Sequence, residues 1–222
     1  MSITENVQRI RASLPEGVKL VAATKMNGAE AVREAIAAGV DACGENRVQE
    51  LLEKDALGAY QGAEKHFIGH LQRNKVKSVV GRCSLIQSVD SAELLALIDR
   101  QAQTLGIVQN VLLEVNIGGE AAKSGVSPEA LPALLDAAAA CGCLRVRGLM
   151  TIPPVCAVPD GARRYFSAMY KLFVDIGAKK YDNINMEILS MGMSADYGQA
   201  VQEGANMVRV GSAIFGARDY AR

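Results

Sequence analysis

The feature that most constrains the fold of this 222-residue chain is a repeated switch between short apolar runs and longer amphipathic patterns. Short apolar runs bounded by turn residues predict buried strands, whereas apolar residues at helical spacing predict helices. Their alternation is typical of βα units around a parallel sheet. We count about eight such pairs, the number found in a TIM barrel. The sequence therefore predicts an α/β fold, a single (β/α)8 TIM barrel with an extra N-terminal helix.

The boundaries of the predicted elements follow from the same patterns. The strands are predicted at 19–24, 41–43, 65–68, 84–87, 109–115, 144–149, 185–189 and 206–209. The helices are predicted at 3–14, 29–38, 46–57, 73–80, 91–105, 128–140, 160–177 and 195–203. Residues at three helix starts support these boundaries: Ser91 as a capping hydroxyl, Pro128 at a first helical position, and Pro159-Asp160 before the longest helix.

Length and composition narrow the class of protein. A chain of this length fits one barrel better than two small domains, so we expect one domain over residues 1–222. The 24 basic and 24 acidic residues cancel, and no basic run favours nucleic acid or an anionic membrane surface as a partner. The polar N-terminal segment lacks a signal-peptide core, and no later segment reaches membrane-spanning length. We expect a cytoplasmic protein, and a monomer.

The cysteines and histidines do not predict a metal site. The five cysteines are an odd number without the paired spacing of a zinc ribbon or a disulfide framework. Cys141 and Cys143 form the one close pair, with no histidine nearby. His66 and His70 flank a short strand pattern and would fall on different sides of it or at its end, so we expect one structural histidine and one at the barrel mouth.

Lys25 is the first candidate for chemistry, because it stands where the first predicted strand runs into a polar loop. Active sites of barrels lie at this end of the strands. An amine condenses with an aldehyde only when it is neutral, and desolvation at an apolar barrel mouth lowers the pKa of a lysine toward that state. The alternative is that Lys25 only extends from a strand end into solvent. Taken alone, Lys25 favours that alternative; its place among the mouth loops favours a site.

A second candidate is a phosphate seat built from two loops near the end of the chain. Residues 190–194 follow the seventh predicted strand, and Gly211-Ser212 follows the eighth. Loops in these positions commonly hold phosphate in TIM barrels, and their small residues leave backbone N–H groups accessible. Ordinary turn and capping chemistry is the alternative. Two such loops in the correct units favour the seat, and together with Lys25 they predict a covalently held phosphorylated aldehyde.

Two further side chains are candidates for the same pocket. Arg209 precedes Gly211 by two residues and would point inward near the phosphate seat. A salt bridge of Arg209 with Glu187 or Asp196 is the alternative. Asn46 follows the second predicted strand and faces the barrel mouth or caps the next helix; the sequence favours neither.

Six motifs spread over nearly the whole chain are similar to those of one known family. They are TK at 24–25, GENRVQE at 44–50, HFIGHLQRNK at 66–75, RGLMTIP at 147–153, SMGMSAD at 190–196 and VRVGSAIFG at 208–216. In this order they resemble the YggS/PROSC family of pyridoxal phosphate homeostasis proteins. The chain departs from the family pattern at 26–28, where a proline-containing segment is usual, and at His70, where proline is common. The resemblance thus does not predict the conformation of the loop after the first strand or of the rim of the pocket.

The resemblance implies a barrel like the N-terminal domain of alanine racemase, of fold type III among proteins that bind pyridoxal 5′-phosphate (PLP). It implies PLP held as a Schiff base on Lys25, with Arg209 facing the pyridine nitrogen. The implied phosphate contacts lie in the last two loops: Ser190, Met191, Gly211 and Ser212. The implied lining of the ring pocket is Asn46 and Met150.

The resemblance also implies a role, which is to hold, buffer and deliver PLP to apo PLP-dependent enzymes without catalytic residues. The charge of Arg209 supports this role, because it disfavours protonation of the pyridine nitrogen and weakens the ring as an electron sink. Related racemases take a second base from an additional β-domain, and we expect no such domain here because the sequence runs only to Arg222. A racemase-like PLP enzyme is the first alternative. A class I aldolase without PLP, using the same lysine, is the second.

Overall fold

The computed structural model of the chain describes residues 1–156, 158 and 160–216. Eight parallel strands close into one barrel in chain order, and the last strand pairs with the first. The strands are β1 Lys19–Ala23, β2 Ala42–Glu45, β3 Glu64–Phe67, β4 Leu85–Val89, β5 Gln109–Glu114, β6 Leu144–Met150, β7 Ile184–Ser190 and β8 Met207–Val210. The predicted (β/α)8 TIM barrel is confirmed.

The helices surround the barrel, and an extra helix precedes the first strand as predicted. They are α1 Ile3–Ser13, α2 Ala29–Ala37, α3 Val48–Ala56, α4 Val76–Val79, α5 Ala92–Leu105, α6 Leu131–Ala139, α7 Arg163–Gly177, α8 Tyr197–Gln202 and α9 Ser212–Phe215. A reciprocal capping box between Ser2 and Glu5 starts α1, and the Ser91 hydroxyl caps α5 as expected. No helix within the described ranges is long and apolar enough to span a bilayer.

Three predicted helix starts differ from the structure. The predicted helix 73–80 is a 3₁₀ turn, Arg73–Lys75, followed by the single turn of α4. Pro128 lies in a turn rather than in a helix, because the Ser127 hydroxyl accepts the Ala130 N–H and holds a local turn ahead of α6. The longest helix begins at Arg163, and Pro159 lies outside the described residues.

Polar side chains cross the interior of the barrel alongside an apolar cluster. Gln87 on β4 and Ser190 on β7 share a hydrogen bond of 2.7 Å, although these strands are not neighbours. Both residues are fully buried. The apolar part of the interior is a small cluster consisting of Val21, Ala42, Leu85, Leu112, Met150 and Met207. The much larger apolar core lies between the strands and the helices.

The joint between β7 and β8 has the fewest paired residues of the barrel, with Ser190 opposite Met207 as the single pair in register. The side chain of Asn206 substitutes for part of the missing ladder. Its Oδ1 accepts the Leu189 N–H at 2.8 Å, and its Nδ2 donates to the Glu187 carbonyl at 2.7 Å. A side-chain amide thus supplements the few backbone hydrogen bonds that close the barrel here.

Candidate functional site

A cavity of about 300 Å³ opens among the loops at the carboxyl ends of the strands. Five of the eight residues predicted for the site line this cavity: Lys25, Asn46, Arg209, Gly211 and Ser212. The remainder of the lining is small or apolar: Ala23, Ile68, Ile152, Met193, Ser194 and Ala195. Its volume lies at the lower end of the range of about 300–1,000 Å³ usual for small-molecule pockets.

Lys25 lies half-buried in the turn after β1, and α3 holds the backbone on both sides of it. Lys54 Nζ donates to the Thr24 carbonyl at 2.7 Å, and Glu50 Oε2 accepts the Met26 N–H at 2.5 Å. We call Glu50 and Lys54 the α3 clamp. Met26 has a φ of 63°, a left-handed conformation that is unfavourable for a side chain of this size. The clamp therefore fixes the peptide groups that set the direction of Lys25.

The clamp continues into a buried ion pair. Lys54 is 6% exposed and lies 2.6 Å from Oε1 of Glu45, which is fully buried. The same oxygen accepts the hydroxyls of Thr24 at 2.5 Å and Tyr60 at 3.0 Å. Burial, reinforced by the neighbouring Glu45, raises the pKa of Tyr60, so its hydroxyl remains a donor. The positive charge of Lys54 thus compensates for the loss of hydration of the buried Glu45 carboxylate.

Sequence reasoning did not identify Lys54 as part of the site. A signal for it exists, because Lys54 stands three residues after Leu51, on the buried face of α3. A lysine at such a position needs a partner. The sequence does not say which carboxylate supplies it, because Glu45 lies in another element.

Arg209 is 3% exposed and is held by two hydrogen bonds. Its Nη1 donates to Ser190 Oγ at 2.6 Å, and its Nη2 donates to the Thr151 carbonyl at 2.9 Å. Burial lowers the pKa of Arg209 to about 10, while Glu114 and Asp196 act in the opposite direction. The guanidinium is therefore a cation at neutral pH. Neither predicted alternative salt bridge is present among the described residues, and Glu187 pairs instead with Arg147.

Glu114 is a buried carboxyl in the electrostatic neighbourhood of Arg209. Burial raises its pKa to about 7, with Asp90 adding to the rise and Arg209 opposing it. Glu114 does not line the cavity.

The loops after β7 and β8 meet at a hydroxyl. Ser194 Oγ accepts the N–H groups of Gly211 at 3.2 Å and Ala213 at 3.1 Å. Two backbone donors therefore converge on one oxygen acceptor beside the cavity. We call these two loops, 190–196 and 211–213, the cradle. Donors that converge on an oxygen in this way suit a phosphate oxygen equally well.

Three residues predicted for the site lie beneath the cavity rather than in its wall. Met150 is fully buried in the apolar cluster inside the barrel. Ser190 is fully buried, with its hydroxyl between Arg209 and Gln87. Met191 packs in the outer core, and its N–H donates to the Met207 carbonyl at 3.1 Å. Direct ligand contacts by these three residues remain predictions.

Asn46 faces the cavity and does not cap α3, whose N-cap is Arg47 without a side-chain hydrogen bond. Its Oδ1 is buried and has no hydrogen-bond partner among the described residues. Gly69 packs against the backbone of Asn46 so closely that a Cβ there would lie 2.2 Å from the Asn46 carbonyl oxygen. The glycine thus allows the second and third loops to meet at the pocket.

The histidines occupy the two kinds of place that were expected. His66 is buried inside the barrel, whereas His70 is exposed at the mouth, with its Nδ1 3.4 Å from Ser124 Oγ. Across the part of the chain that the structure describes, no group of three or more His, Cys, Asp or Glu side chains could hold a metal ion.

Comparison with known proteins assigns the family. The family model of the alanine racemase N-terminal domain matches residues 1–219. Pyridoxal phosphate homeostasis proteins of Aquifex aeolicus and Pseudomonas aeruginosa are 42% and 39% identical to this chain, covering 98% and 99% of it and 96% and 97% of their own length. The chain belongs to the family of pyridoxal phosphate homeostasis proteins. The predicted resemblance is confirmed.

Solved structures support the same assignment. The PipY protein of Synechococcus elongatus, solved with PLP bound, is similar with a TM-score of 0.88 and 34% identity, covering 97% of this chain and all of PipY. Alanine racemase of Clostridium difficile has a TM-score of 0.78 at 18% identity, covering 98% of this chain and 60% of the racemase. The racemase likeness concerns the fold alone.

Proposed function

We propose that residues 1–222 form one domain that binds PLP, takes part in its intracellular homeostasis, and delivers it to apo PLP-dependent enzymes without robust catalysis of its own. The observation that carries this proposal is the convergence of Lys25, Arg209 and the cradle on one cavity. Homeostasis proteins more than one third identical to this chain, and a similar structure with PLP bound, support it.

The residues around the cavity suit this ligand. Lys25 would hold the aldehyde carbon of PLP as a reversible Schiff base, and Arg209 would donate to the pyridine nitrogen. Gly211 and Ser212 would hold the phosphate with help from Ser194, and Ser190 and Met191 complete the predicted set. Asn46 and Met150 would border the ring.

Two observations favour a carrier over a racemase-like enzyme. Arg209 stays protonated, so it can only donate to the ring nitrogen, which then remains unprotonated and a weaker electron sink. In addition, the described residues that line the cavity include no Tyr, His, Cys or carboxylate that could serve as a second base opposite Lys25. The same lining would leave a class I aldolase without an acid or second lysine beside its Schiff base.

The decisive experiment incubates the PLP-loaded protein with L-amino acids in heavy water and follows Cα exchange by proton NMR. We expect no exchange at an enzymatic rate, because a ring with an unprotonated nitrogen is a poor sink for the electrons of a Cα carbanion, and the described lining offers no second base to transfer the proton. A parallel assay should show activation of an apo PLP-dependent enzyme. Rapid exchange that depends on Lys25 would favour the racemase-like alternative, and a purified protein without pyridoxal absorption would favour the aldolase.

The cradle can be tested with Gly211→Val. The branched side chain should obstruct the approach of a phosphate to the backbone and remove one or two charge-assisted hydrogen bonds. Each is worth about 1.5–3 kcal/mol, so loss of one should lower PLP affinity roughly tenfold to a hundredfold, and loss of both should lower it by the product of the two factors. Spectroscopic titration with PLP measures the effect. Gly142→Val is the matched control, because Gly142 has no neighbour within 4 Å of a Cβ and does not line the cavity. Equal affinities of the two variants would contradict the phosphate seat.

A further inference from the structure

A chain of four hydrogen bonds runs from Arg209 through the inside of the barrel to the amino end of β3. Arg209 Nη1 contacts Ser190 Oγ at 2.6 Å, and Ser190 Oγ contacts Gln87 Oε1 at 2.7 Å. Gln87 Nε2 then meets His66 Nδ1 at 3.0 Å, and His66 Nε2 meets Glu64 Oε2 at 3.1 Å. We call this path the interior chain. All of its members except Glu64 are buried.

The two ends of the interior chain fix the direction of its outer bonds, and the Gln87 amide as oriented in the structure fixes the inner ones. A guanidinium can only donate, so the Ser190 oxygen accepts from Arg209 and its own O–H is free to donate to Gln87. A carboxylate can only accept, and the bond from His66 holds the pKa of Glu64 down at about 2. His66 therefore carries a proton on Nε2. Its Nδ1 accepts the Gln87 N–H, which leaves the imidazole neutral.

The opposite orientation of the Gln87 amide satisfies fewer groups. As placed, the second N–H of Gln87 Nε2 faces Met207 Sδ at 3.3 Å, so both amide hydrogens have acceptors. A flipped amide would turn its oxygen toward that sulfur and toward His66 Nδ1. His66 would then need a proton on both nitrogens to keep its bonds to Gln87 and Glu64. The interior chain thus has one fully satisfied arrangement with an uncharged imidazole.

We propose that Gln87 and His66 are positioning residues that hold the Arg209 guanidinium toward the cavity, with His66 neutral and protonated on Nε2. Arg209 has two anchors, the Thr151 carbonyl and Ser190 Oγ. Without Gln87, the Ser190 hydroxyl loses the acceptor that orients it, and the guanidinium keeps one firm anchor. The role of these residues toward the ligand rests on the proposed function, whereas the protonation of His66 does not.

The first test is nitrogen-15 NMR of His66 in the ligand-free protein. Only two histidines are present, and His70→Gln leaves His66 as the single signal. We expect the neutral Nε2–H form at neutral pH. A proton on Nδ1, or a charged imidazole, would overturn the proposed arrangement. This measurement needs neither PLP nor a change within the interior chain.

The second test compares Gln87→Leu with Gln109→Leu. Gln109 is also a buried glutamine, but its bonds go to the backbone of Gly81, Cys83 and Asn110 rather than to the interior chain. Both variants lose buried hydrogen bonds and should unfold more easily. Only Gln87→Leu should shift the absorption maximum of bound PLP and its pH dependence, because only there does the charge beside the ring nitrogen move.

The outcomes separate this proposal from the proposed function. An unchanged PLP spectrum in a folded Gln87→Leu protein, or the same shift in Gln109→Leu, would refute the positioning role. If Gln87→Leu does not fold, His66→Gln replaces it. The new glutamine should preserve the spectrum of bound PLP, because its amide can accept from Gln87 and donate to Glu64. A large change of the PLP spectrum in His66→Gln would count against the interior chain. An unmutated protein that shows no pyridoxal band contradicts the proposed function itself, while the His66 measurement still decides the protonation.

Discussion

Replacement of Lys25 with alanine is expected to abolish covalent retention of PLP. Lys25 is the lysine that lines the cavity, and the other amine close to this turn, on Lys54, is buried against Glu45 and the Thr24 carbonyl. Borohydride reduction followed by peptide mass analysis should place the pyridoxyl group on the tryptic peptide that contains Lys25. The fold should persist, because a half-buried turn residue contributes little to the core.

Lys180→Ala is the matched control for that experiment, because Lys180 is exposed in the loop before β7, away from the cavity. It should retain the pyridoxyl label and the absorption band of the unmutated protein. A pyridoxyl label found only on a lysine other than Lys25 would contradict the assignment of the site. Loss of the label in both variants would point to a general effect on the protein.

Lys54→Met is expected to cause a large loss of stability. Removal of the lysine leaves the fully buried Glu45 carboxylate without its cation, and breaking one partner of a buried pair typically costs about 3–5 kcal/mol. Denaturant unfolding measures this loss. The double variant Glu45→Gln/Lys54→Met should recover most of it, because an uncharged amide is far less costly to bury. A double variant as unstable as Lys54→Met would show that the charge of Glu45 is not the cause.

Most of the architecture was predictable because local periodicity carries it. The first strand was predicted at 19–24 and observed as β1, Lys19–Ala23, and the α5 start at Ser91 matched. The misplaced start at Pro128 has a local cause, because a serine hydroxyl can hold a turn as readily as it can cap a helix. The predicted helix 73–80 begins with three polar residues whose one ordered turn is 3₁₀.

The site was partly predictable because a barrel brings all the strand ends to one mouth. This geometry placed Lys25 and Arg209 at one cavity although they are far apart in the sequence. The same geometry did not predict which of these side chains line the cavity and which lie beneath it. Ser190 ends β7 with its side chain inside the barrel and Met191 turns toward the outer core, since side chains alternate along a strand.

The partners of buried polar groups were not predictable from local pattern. Lys54 finds Glu45 across two elements, and Gln87 finds Ser190 across the barrel. Periodicity assigns a residue to a face but does not choose its partner on another element.

The sparse joint between β7 and β8 affects the distance between the two loops of the cradle. The two loops of the cradle follow these two strands, and backbone bonds still join them: the Met191 N–H donates to the Met207 carbonyl at 3.1 Å, and the Arg209 N–H donates to the Gly192 carbonyl at 3.0 Å. Asn206 ties the strands below the cradle, and Ser194 spans the gap within it. The width of the cradle therefore depends on two small polar side chains as well as on these few backbone bonds, so a substitution at Asn206 or Ser194 is expected to alter the spacing of the phosphate donors while the other seven joints keep their pairing.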